Sequence, residues 1–276
     1  MTELSFARVE RVARTGSTST DLRQAVQEDP PSWPHLSVLV AEHQDAGRGR
    51  LGRSWDTPAG TALTASVLVR PGVVGDRLSW ITLVAGLAVQ RAVQHLTGER
   101  TGLKWPNDVL ALDVDEEIDD WGRDRKVAGI LAEVAPLYGK PAVILGIGVN
   151  VAQSADQLPV PWATSMALMR NRGEAAGAPA RALDAEEVLA AIGDELVPLL
   201  SRWEDDDPTL RDEIAAVCAS LGREVVVQRP GGAPLAGVAE GLGPDGSLLV
   251  RCPTGELAQA LAGDVLHARR AQSGPL

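Results

Sequence analysis

The sequence predicts a two-domain protein, in which a larger domain of helices and β-strands precedes a small β-barrel. Three observations support this. The chain has 276 residues and is 45% hydrophobic, enough to bury one large core and a second small one. Apolar β-branched segments alternate with helical ones as far as residue 220. After Gly222 the pattern changes to short strands separated by turn sequences at 229–232 and 244–246. We therefore expect domains at 1–217 and 218–276.

The first elements follow in order from local signals. A short helix is predicted over residues 20–29, because the two prolines at 30 and 31 cannot continue it. Apolar, β-branched segments at 36–41 and 63–69 predict buried strands. Between residues 78 and 96 apolar positions occur in nearly every turn. This spacing predicts a long helix against the sheet, with Leu83, Leu87 and Val93 in the core.

The remaining elements of the larger domain are read in the same way. Strands are expected at 109–112, 127–134 and 142–151, and helices at 185–203 and 209–220. The acidic segment 113–124 joins the first two of these strands and is predicted to be a solvated hairpin loop that tolerates shortening. The alanine-rich stretch 174–182 is expected to be mobile.

Charge and composition exclude several classes of protein. The net charge of −11 gives nucleic acid no overall attraction, so we expect no DNA partner. Cys218 and Cys252 are too few for a disulfide framework or a multi-cysteine zinc site. The histidines have no metal-ligand spacing, and residues 1–21 lack the apolar core of a signal peptide. No apolar run is long enough to span a bilayer. The expectation is a cytoplasmic protein without a membrane partner.

The glycine- and arginine-rich segment 47–52 is the first candidate for a functional site. It formally fits the dinucleotide-binding pattern G-x-G-x-x-G, but Pro58 and Gly60 prevent the helix that this motif requires. One alternative is a flexible surface loop kept in solution by its arginines. The other is an anion site, because Arg48, Arg50 and Arg53 place three cations among glycines whose N–H groups can approach phosphate oxygens. In that case residues 47–55 should be mobile without ligand and ordered with it.

Four motifs in the same order resemble the biotin protein ligases. They are residues 41–55, Lys104 to Asp108 (KWPND), residues 126–133 (KVAGILAE) and residues 146–151 (GIGVNV). The resemblance implies the α+β class, with a mixed-sheet catalytic domain like that of class II aminoacyl-tRNA synthetases and an SH3-like C-terminal barrel. It also implies a short form, since only about 14 residues precede Thr15 and leave no room for an N-terminal DNA-binding domain.

The activity implied by the resemblance is ATP-dependent biotinylation. Biotin would react with ATP to give biotinoyl adenylate, and a lysine of a biotin carboxyl carrier protein would then take the biotinoyl group. The implied substrates are biotin and ATP, with Mg²⁺, and the expected form is a monomer or weak homodimer. Lipoate or octanoyl transfer on the same fold is the rival activity, and the glycine–arginine loop disfavours it. A biotin-responsive repressor is the non-enzymatic rival.

The resemblance also assigns site residues. Catalytic roles fall on Lys126, Arg48 and Arg50. Biotin contacts fall on Ser17, Thr18, Ser19, Gln44, Gly47, Arg48, Gly49, Arg50, Lys126, Gly129 and Gly148. Adenylate contacts fall on Arg48, Arg50, Trp55, Lys104, Asn107, Lys126 and Asn150. Asn107 and Asp108 would be magnesium ligands. At Ser19 the sequence departs from the asparagine that the family usually has.

Structural alternatives exist for several of these residues. The hydroxyls at 17–19 also suit a helix N-cap. Residues 106–108 suit a type I turn. Trp55 could be a plain core residue, and Lys126 a solvated charge at a strand end. The glycines of 146–151 could serve packing alone.

Overall fold

The computed structural model describes residues 5–119, 121–137, 140–173, 182–261 and 263–267. The alanine-rich stretch that we expect to be mobile falls outside these ranges except for residue 182. Within the described part of the chain, no helix has both the length and the apolar character needed to cross a bilayer.

A seven-stranded mixed sheet organises the larger domain. Its strands run in the spatial order β1-β2-β3-β7-β6-β5-β4. The first two are parallel and the other neighbours are antiparallel. The strands are β1 Arg8–Thr15, β2 Ser37–Gln44, β3 Ala62–Val69, β4 Thr101–Lys104, β5 Asp108–Ala111, β6 Arg125–Leu137 and β7 Lys140–Asn150. The predicted strands are confirmed, whereas β1 and β4 were missed.

In the described ranges, five α-helices pack around this sheet. They are α1 Thr18–Glu28, α2 Ile81–Thr97, α3 Met166–Gly173, α4 Ala185–Glu204 and α5 Pro208–Val217. Leu83, Leu87 and Val93 of α2 are buried in the larger core, as predicted. Asp184 caps α4 by accepting a hydrogen bond from the Glu187 N–H at 2.8 Å. The sequence patterns did not reveal α3.

The two faces of the sheet have different cores. On β7, Val143, Leu145 and Ile147 point to the larger core, which α2 and α4 cover. Ala142 and Ile144 alternate with them and point to a smaller core, which Leu22 and Val26 of α1 complete. Because side chains alternate along a strand, Gly146 and Gly148 share the α1 face. Without side chains at these positions, the α1 face has a hollow beyond the smaller core.

The C-terminal region forms a five-stranded antiparallel sheet in the order β11-β10-β9-β8-β12. Its strands are β8 Glu224–Gln228, β9 Leu235–Leu242, β10 Leu248–Arg251, β11 Leu257–Ala260 and β12 Asp264–His267. Two tryptophans dock it on the larger domain. The Trp80 indole donates to the Pro244 carbonyl at 2.8 Å, and the Trp105 indole donates to the Gly246 carbonyl at 2.9 Å.

The acidic segment 113–124 is a hairpin loop with exposed residues at 115–117, as predicted, but its C-terminal end is not solvated. Asp124 is only 6% exposed. Its carboxylate accepts a hydrogen bond from Arg223 at 2.6 Å and another from the Asp113 N–H at 3.2 Å. The neighbouring Arg125 is buried and donates to the Glu116 and Gly122 carbonyls at 2.5 and 2.9 Å. These bonds fix the C-terminal part of the segment to the domain.

Candidate functional site

A cavity of about 550 Å³ opens on the α1 face of the sheet. Most residues that the sequence analysis assigned to a site line this cavity. They are Ser17, Thr18, Ser19, Gln44, Arg48, Gly49, Arg50, Trp55, Asn107, Asp108, Lys126, Gly129, Gly148 and Asn150. Gly47 and Lys104 do not line it. The geometry therefore brings together residues from all four sequence motifs and from the start of α1.

Paired glycines form the floor of the cavity. Gly129 on β6 lies opposite Gly148 on β7 in the strand register. A Cβ at Gly148 would lie 2.5 Å from Cε2 of Trp55, and one at Gly129 would lie 3.2 Å from Nζ of Lys126. Contacts shorter than 3 Å are not tolerated between carbon atoms, so the Trp55 ring can approach Gly148 only because that residue has no side chain. The glycines thus allow the side chains of Trp55 and Lys126 to lie close to the strand backbone at the cavity.

Hydroxyl groups line the end of the cavity beneath α1. Ser17 is the N-cap residue of α1, but its side chain makes no capping hydrogen bond. The Thr18 N–H and hydroxyl donate to Oε1 of Gln44 at 2.8 and 3.0 Å, which fixes the orientation of that amide. The Thr18 and Ser19 hydroxyls lie 2.8 and 2.9 Å from the Ser66 hydroxyl. The sequence analysis missed Ser66, although a serine within a fully buried strand was a usable signal.

The glycine–arginine loop follows β2 and folds back on itself. Gly49 N–H donates to the Arg53 carbonyl at 2.7 Å, and Trp55 N–H donates to the Gly47 carbonyl at 2.8 Å. The α-helix of a dinucleotide-binding motif does not follow; the chain continues to β3. The predicted exclusion of that motif is therefore confirmed.

The three arginines of the loop have different surroundings. Arg48 lies 3.3 Å from the Glu133 carboxylate and donates to the Thr20 hydroxyl at 2.9 Å. Arg53 donates to Asp264 of β12 at 2.6 Å. Burial lowers the pKa of Arg50. Its Nε is buried without a hydrogen-bond partner, as is Nε1 of Trp55. Two buried donors without partners beside one cavity indicate a place for ligand acceptors. A buried N–H group that has no acceptor costs free energy, and a ligand acceptor would remove that cost.

Lys126 supplies the cation at the other end of the cavity. Its ammonium group lies 2.7 Å from the Asp108 carboxylate, with the lysine side chain 25% exposed. It also lies 5.6 Å from the centroid of the Trp55 ring. Lys126 is thus a partly buried, paired charge in the cavity wall rather than a solvated charge at a strand end. A cation in this position can meet an anionic ligand without a large reorganisation of the protein.

Two asparagines lie beside Lys126. The Asn107 side chain donates to the Ile130 carbonyl at 3.1 Å, which leaves its Oδ1 for another partner. The Asn150 side chain donates to the Thr164 carbonyl at 3.0 Å and accepts from Gln153 at 3.1 Å. The Trp105–Pro106 bond is cis, so the turn before Asn107 is not of type I.

Lys104 lies behind the cavity wall instead of in it. Its ammonium group is 4.1 Å from the centroid of the Trp121 ring. Burial lowers the pKa of Lys104, and the Asp108 carboxylate acts in the opposite direction. Trp121 stacks on Trp162, with the ring centroids 5.1 Å apart and the planes inclined by 18°. Trp162 lines the cavity, and the sequence analysis missed it.

Within the described ranges, no group of three or more His, Cys, Asp or Glu side chains could hold a metal ion. The oxygens nearest to such a role are the Asp108 carboxylate and Oδ1 of Asn107, which both belong to the cavity lining. This set suits an ion that takes one carboxylate from the protein and further oxygens from a phosphate ligand.

Comparisons with known proteins agree with this site. The sequence profile of the biotin/lipoate A/B protein ligase family matches residues 12–151, and the profile of the biotin protein ligase C terminal domain matches residues 220–267. The biotin--[acetyl-CoA-carboxylase] ligase of Mycobacterium tuberculosis is 38% identical over 264 residues, which is 94% of this chain and 88% of that protein. The enzyme of the same name from Paracoccus denitrificans is 34% identical over 254 residues, 88% of this chain and 94% of that protein.

A solved structure extends the likeness to the whole fold. The biotin protein ligase of Aquifex aeolicus in complex with biotin and ATP superimposes with a TM-score of 0.74 at 27% sequence identity, covering 96% of this chain and 100% of the other. Profile, sequence and structure therefore agree over both the mixed sheet and the C-terminal sheet, and this chain belongs to the biotin/lipoate A/B protein ligase family.

Proposed function

We propose that this protein is an ATP-dependent biotin protein ligase. It activates biotin as biotinoyl-5′-AMP and transfers the biotinoyl group to a lysine of a biotin carboxyl carrier protein. One observation carries the proposal. A single cavity has hydroxyl and amide groups at one end, Lys126 and Arg50 towards the other, and a floor of glycines between them. This suits a small heterocyclic acid whose carboxylate meets a nucleotide phosphate.

The hydroxyl end suits the ureido ring of biotin. That ring has two N–H donors and one carbonyl acceptor, so its recognition needs fixed polar groups of both kinds. Ser17, Thr18, Ser19 and Gln44 supply them, and the Thr18–Gln44 bonds hold the amide in one orientation. The Trp55 ring covers part of the glycine floor. Binding of biotin there requires this ring to shift together with the loop.

The cations act where the carboxylate and the α-phosphate meet. In the first step a carboxylate oxygen attacks the α-phosphorus, the bond to the leaving pyrophosphate breaks, and a mixed anhydride forms. Arg48, Arg50 and Lys126 offset the negative charge on the reacting groups, and the guanidinium groups can each hold two oxygens. Catalysis then rests on positioning and charge stabilisation, without a protein nucleophile.

In the second step the neutral amine of the carrier lysine attacks the carbonyl carbon of the anhydride. The bond from that carbon to the phosphate oxygen breaks, AMP leaves, and the nitrogen loses a proton to give the amide. The proposed partner is the biotin carrier domain of a carboxylase. DNA and membranes are not among the proposed partners, the proposed location is the cytoplasm, and the proposed form is a monomer or weak homodimer.

The nucleotide end is assigned to Trp55, Trp162, Asn107 and Asn150. The indole of Trp162 offers a flat apolar surface for adenine, and Oδ1 of Asn107 is an available acceptor. Asp108 and Asn107 would hold Mg²⁺ together with phosphate oxygens, and the ion would supply neutralisation of phosphate charge. Asp108 now pairs with Lys126, so it also keeps that ammonium group in the cavity wall.

The proposal is tested by pyrophosphate release with ATP and magnesium in the presence of biotin, lipoate or octanoate. Release with biotin alone, followed by labelling of a biotin carrier domain, is the expected result. Equal or faster release with lipoate or octanoate would assign the chain to the other activities of the family. A gel-shift assay with biotin and ATP present tests the repressor alternative, and we expect no DNA binding.

A further inference from the structure

Two tryptophans from different segments form a stacked pair at the edge of the cavity. Trp121 comes from the acidic segment 113–124, and Trp162 comes from the segment between β7 and α3. Their centroids are 5.1 Å apart, with an angle of 18° between the planes. Only Trp162 lines the cavity, and Trp121 lies behind it. The acidic segment thus contacts the site through one aromatic side chain.

The backbone of Trp162 is fixed directly to Lys126. The Lys126 N–H donates to the Trp162 carbonyl at 2.8 Å, and the Thr164 N–H donates to the Lys126 carbonyl at 2.8 Å. These bonds fix the backbone on both sides of residue 163, but they leave the rotation of the Trp162 side chain free. The stack with Trp121 restrains the plane of the indole, since aromatic pairs have preferred relative geometries.

Trp121 is itself held on several sides. Its indole N–H donates to the Asp124 carbonyl at 2.8 Å, and its backbone N–H donates to the Ile118 carbonyl at 3.1 Å. The ammonium group of Lys104 lies 4.1 Å from its ring centroid, close enough for a cation–π contact. Lys104, Trp121 and Trp162 therefore form a connected series from the interior to the cavity.

From this arrangement we propose that Trp121 is a positioning residue for the purine ring of ATP. It acts through Trp162, whose indole it holds in the plane on which the purine stacks, and Lys104 supports it from behind. The inference rests on the proposed function, because ATP is the nucleotide invoked. It gives the acidic segment a role in nucleotide affinity, and it gives Lys104 an indirect role in place of the direct contact that the motif implied.

The test is steady-state kinetics of biotin-dependent pyrophosphate release with Trp121→Leu, Trp121→Phe and Trp33→Leu. Trp33 is the matched control because it also has a cation over its ring, with the Arg8 guanidinium 4.0 Å from its centroid, yet it does not line the cavity. In Trp121→Leu the KM for ATP should rise roughly two- to tenfold, the range that loss of an aromatic pair corresponds to. The KM for biotin and kcat should change less than twofold.

The other variants test whether Trp121 changes the KM for ATP through Trp162. Trp121→Phe should recover most of the ATP affinity, because it keeps an aromatic surface, and Trp33→Leu should leave both KM values unchanged. In a Trp162→Leu background, Trp121→Leu should have no further effect on the KM for ATP. Near-ultraviolet circular dichroism should show the signal of coupled indoles in the wild type and its loss in Trp121→Leu and Trp162→Leu.

An unchanged KM for ATP in a folded Trp121→Leu protein would overturn the inference, as would equal increases in the KM for ATP and biotin. An additive effect in the Trp162→Leu background would also overturn it, since Trp121 would then act by another route. If Trp121→Leu does not fold, Trp121→Met takes its place with the same expected results, because its flexible side chain can adapt to an irregular gap. Absence of biotin-dependent release from the wild type would instead contradict the proposed function, and equilibrium dialysis with ATP alone would then compare the same variants.

Discussion

Arg53 donates a hydrogen bond to Asp264 at 2.6 Å, so the glycine–arginine loop is tied to the last strand of the C-terminal sheet. Arg48 is paired with Glu133 in a similar way, at 3.3 Å. Two of the three arginines in the loop thus face a carboxylate. A bound phosphate would compete with these carboxylates for the same cations.

Replacing Asp264 by Asn should loosen the loop in the unliganded protein. The Arg53–Asp264 pair is partly exposed, so its loss should change overall stability by less than about 1 kcal/mol. The local effect should appear in hydrogen exchange, as faster exchange of the Gly49 and Trp55 amides, which are hydrogen-bonded within the loop. With biotin and ATP bound, the variant and the wild type should exchange alike.

Glu240→Gln is the matched control for Asp264→Asn. Glu240 lies in the same sheet and pairs with Arg251 at 2.8 Å, but it has no contact with the loop. Equal exchange of the loop amides in Asp264→Asn and wild-type protein would show that the ion pair does not restrain the loop. Equal protection with and without ligand in the wild type would contradict the prediction that residues 47–55 fold over the adenylate.

Gly148→Ala tests the glycine floor. A methyl group at this position would lie 2.5 Å from the Trp55 ring, so the ring or the strand must shift. Because the same surface is proposed to hold the biotin ring, the KM for biotin should rise by at least tenfold while the protein remains folded. Gly72→Ala is the control, since a Cβ there meets no atom within 4 Å. An unchanged KM for biotin in Gly148→Ala would show that the glycine floor does not contact biotin.

Asp124→Ala tests the corrected description of the acidic segment. Its carboxylate holds Arg223 and the Asp113 N–H, so the free energy of unfolding should fall by about 2 kcal/mol in urea denaturation. Asp115→Ala removes a fully exposed carboxylate of the same segment and should leave the urea midpoint unchanged. Similar urea midpoints for Asp124→Ala and Asp115→Ala would show that the buried carboxylate of Asp124 does not stabilise the fold, as expected for a fully solvated loop.

Much of the fold and most of the candidate site could be predicted from the sequence, because both leave local signals. Apolar β-branched runs marked β2, β3, β6 and β7, and three of the four motifs lie on or directly after these strands. The elements that were missed lack such signals. Strand β1 is an edge strand in which Arg8, Arg11 and Arg14 interrupt the apolar pattern, and each of them is paired with a carboxylate. Two of these pairs, Arg11 with Glu186 and Arg14 with Asp45, join residues distant in sequence.

The same reason explains the errors within the site. Lys104 belongs to a motif whose last two residues, Asn107 and Asp108, reach the cavity, and nothing in its sequence neighbourhood shows that its ammonium group faces Trp121 instead. The acidic composition of 113–124 indicates a solvated loop, yet Asp124 is buried because Arg223, 99 residues further along the chain, reaches it. Contacts between distant segments decided both cases.

Lys126→Met should cause a chemical defect with little structural change. The methionine keeps much of the apolar stem but loses the charge that pairs with Asp108. Loss of one preorganised charge contact typically costs about 3–4 kcal/mol, or on the order of a hundred- to a thousandfold in rate. Biotin-dependent pyrophosphate release should fall accordingly. Supplying synthetic biotinoyl adenylate should restore much of the transfer to the carrier, because the second step then starts from the activated acid.

Near-normal pyrophosphate release by a folded Lys126→Met protein would show that Lys126 does not take part in adenylation. A variant that fails to use synthetic adenylate as well would instead assign Lys126 to both steps. Circular dichroism and a thermal melt establish that the variant is folded in either case.

If one cavity joins biotin to the α-phosphate of ATP, the adenylate should be detectable as a product bound to the protein. The protein should be incubated with biotin, ATP and magnesium without any carrier, and the bound small molecules analysed by mass spectrometry. The account predicts biotinoyl-5′-AMP together with released pyrophosphate from the wild type, and a strongly reduced amount of both from Lys126→Met. Pyrophosphate release that is independent of biotin, or an adenylate formed with lipoate or octanoate but not with biotin, would contradict it.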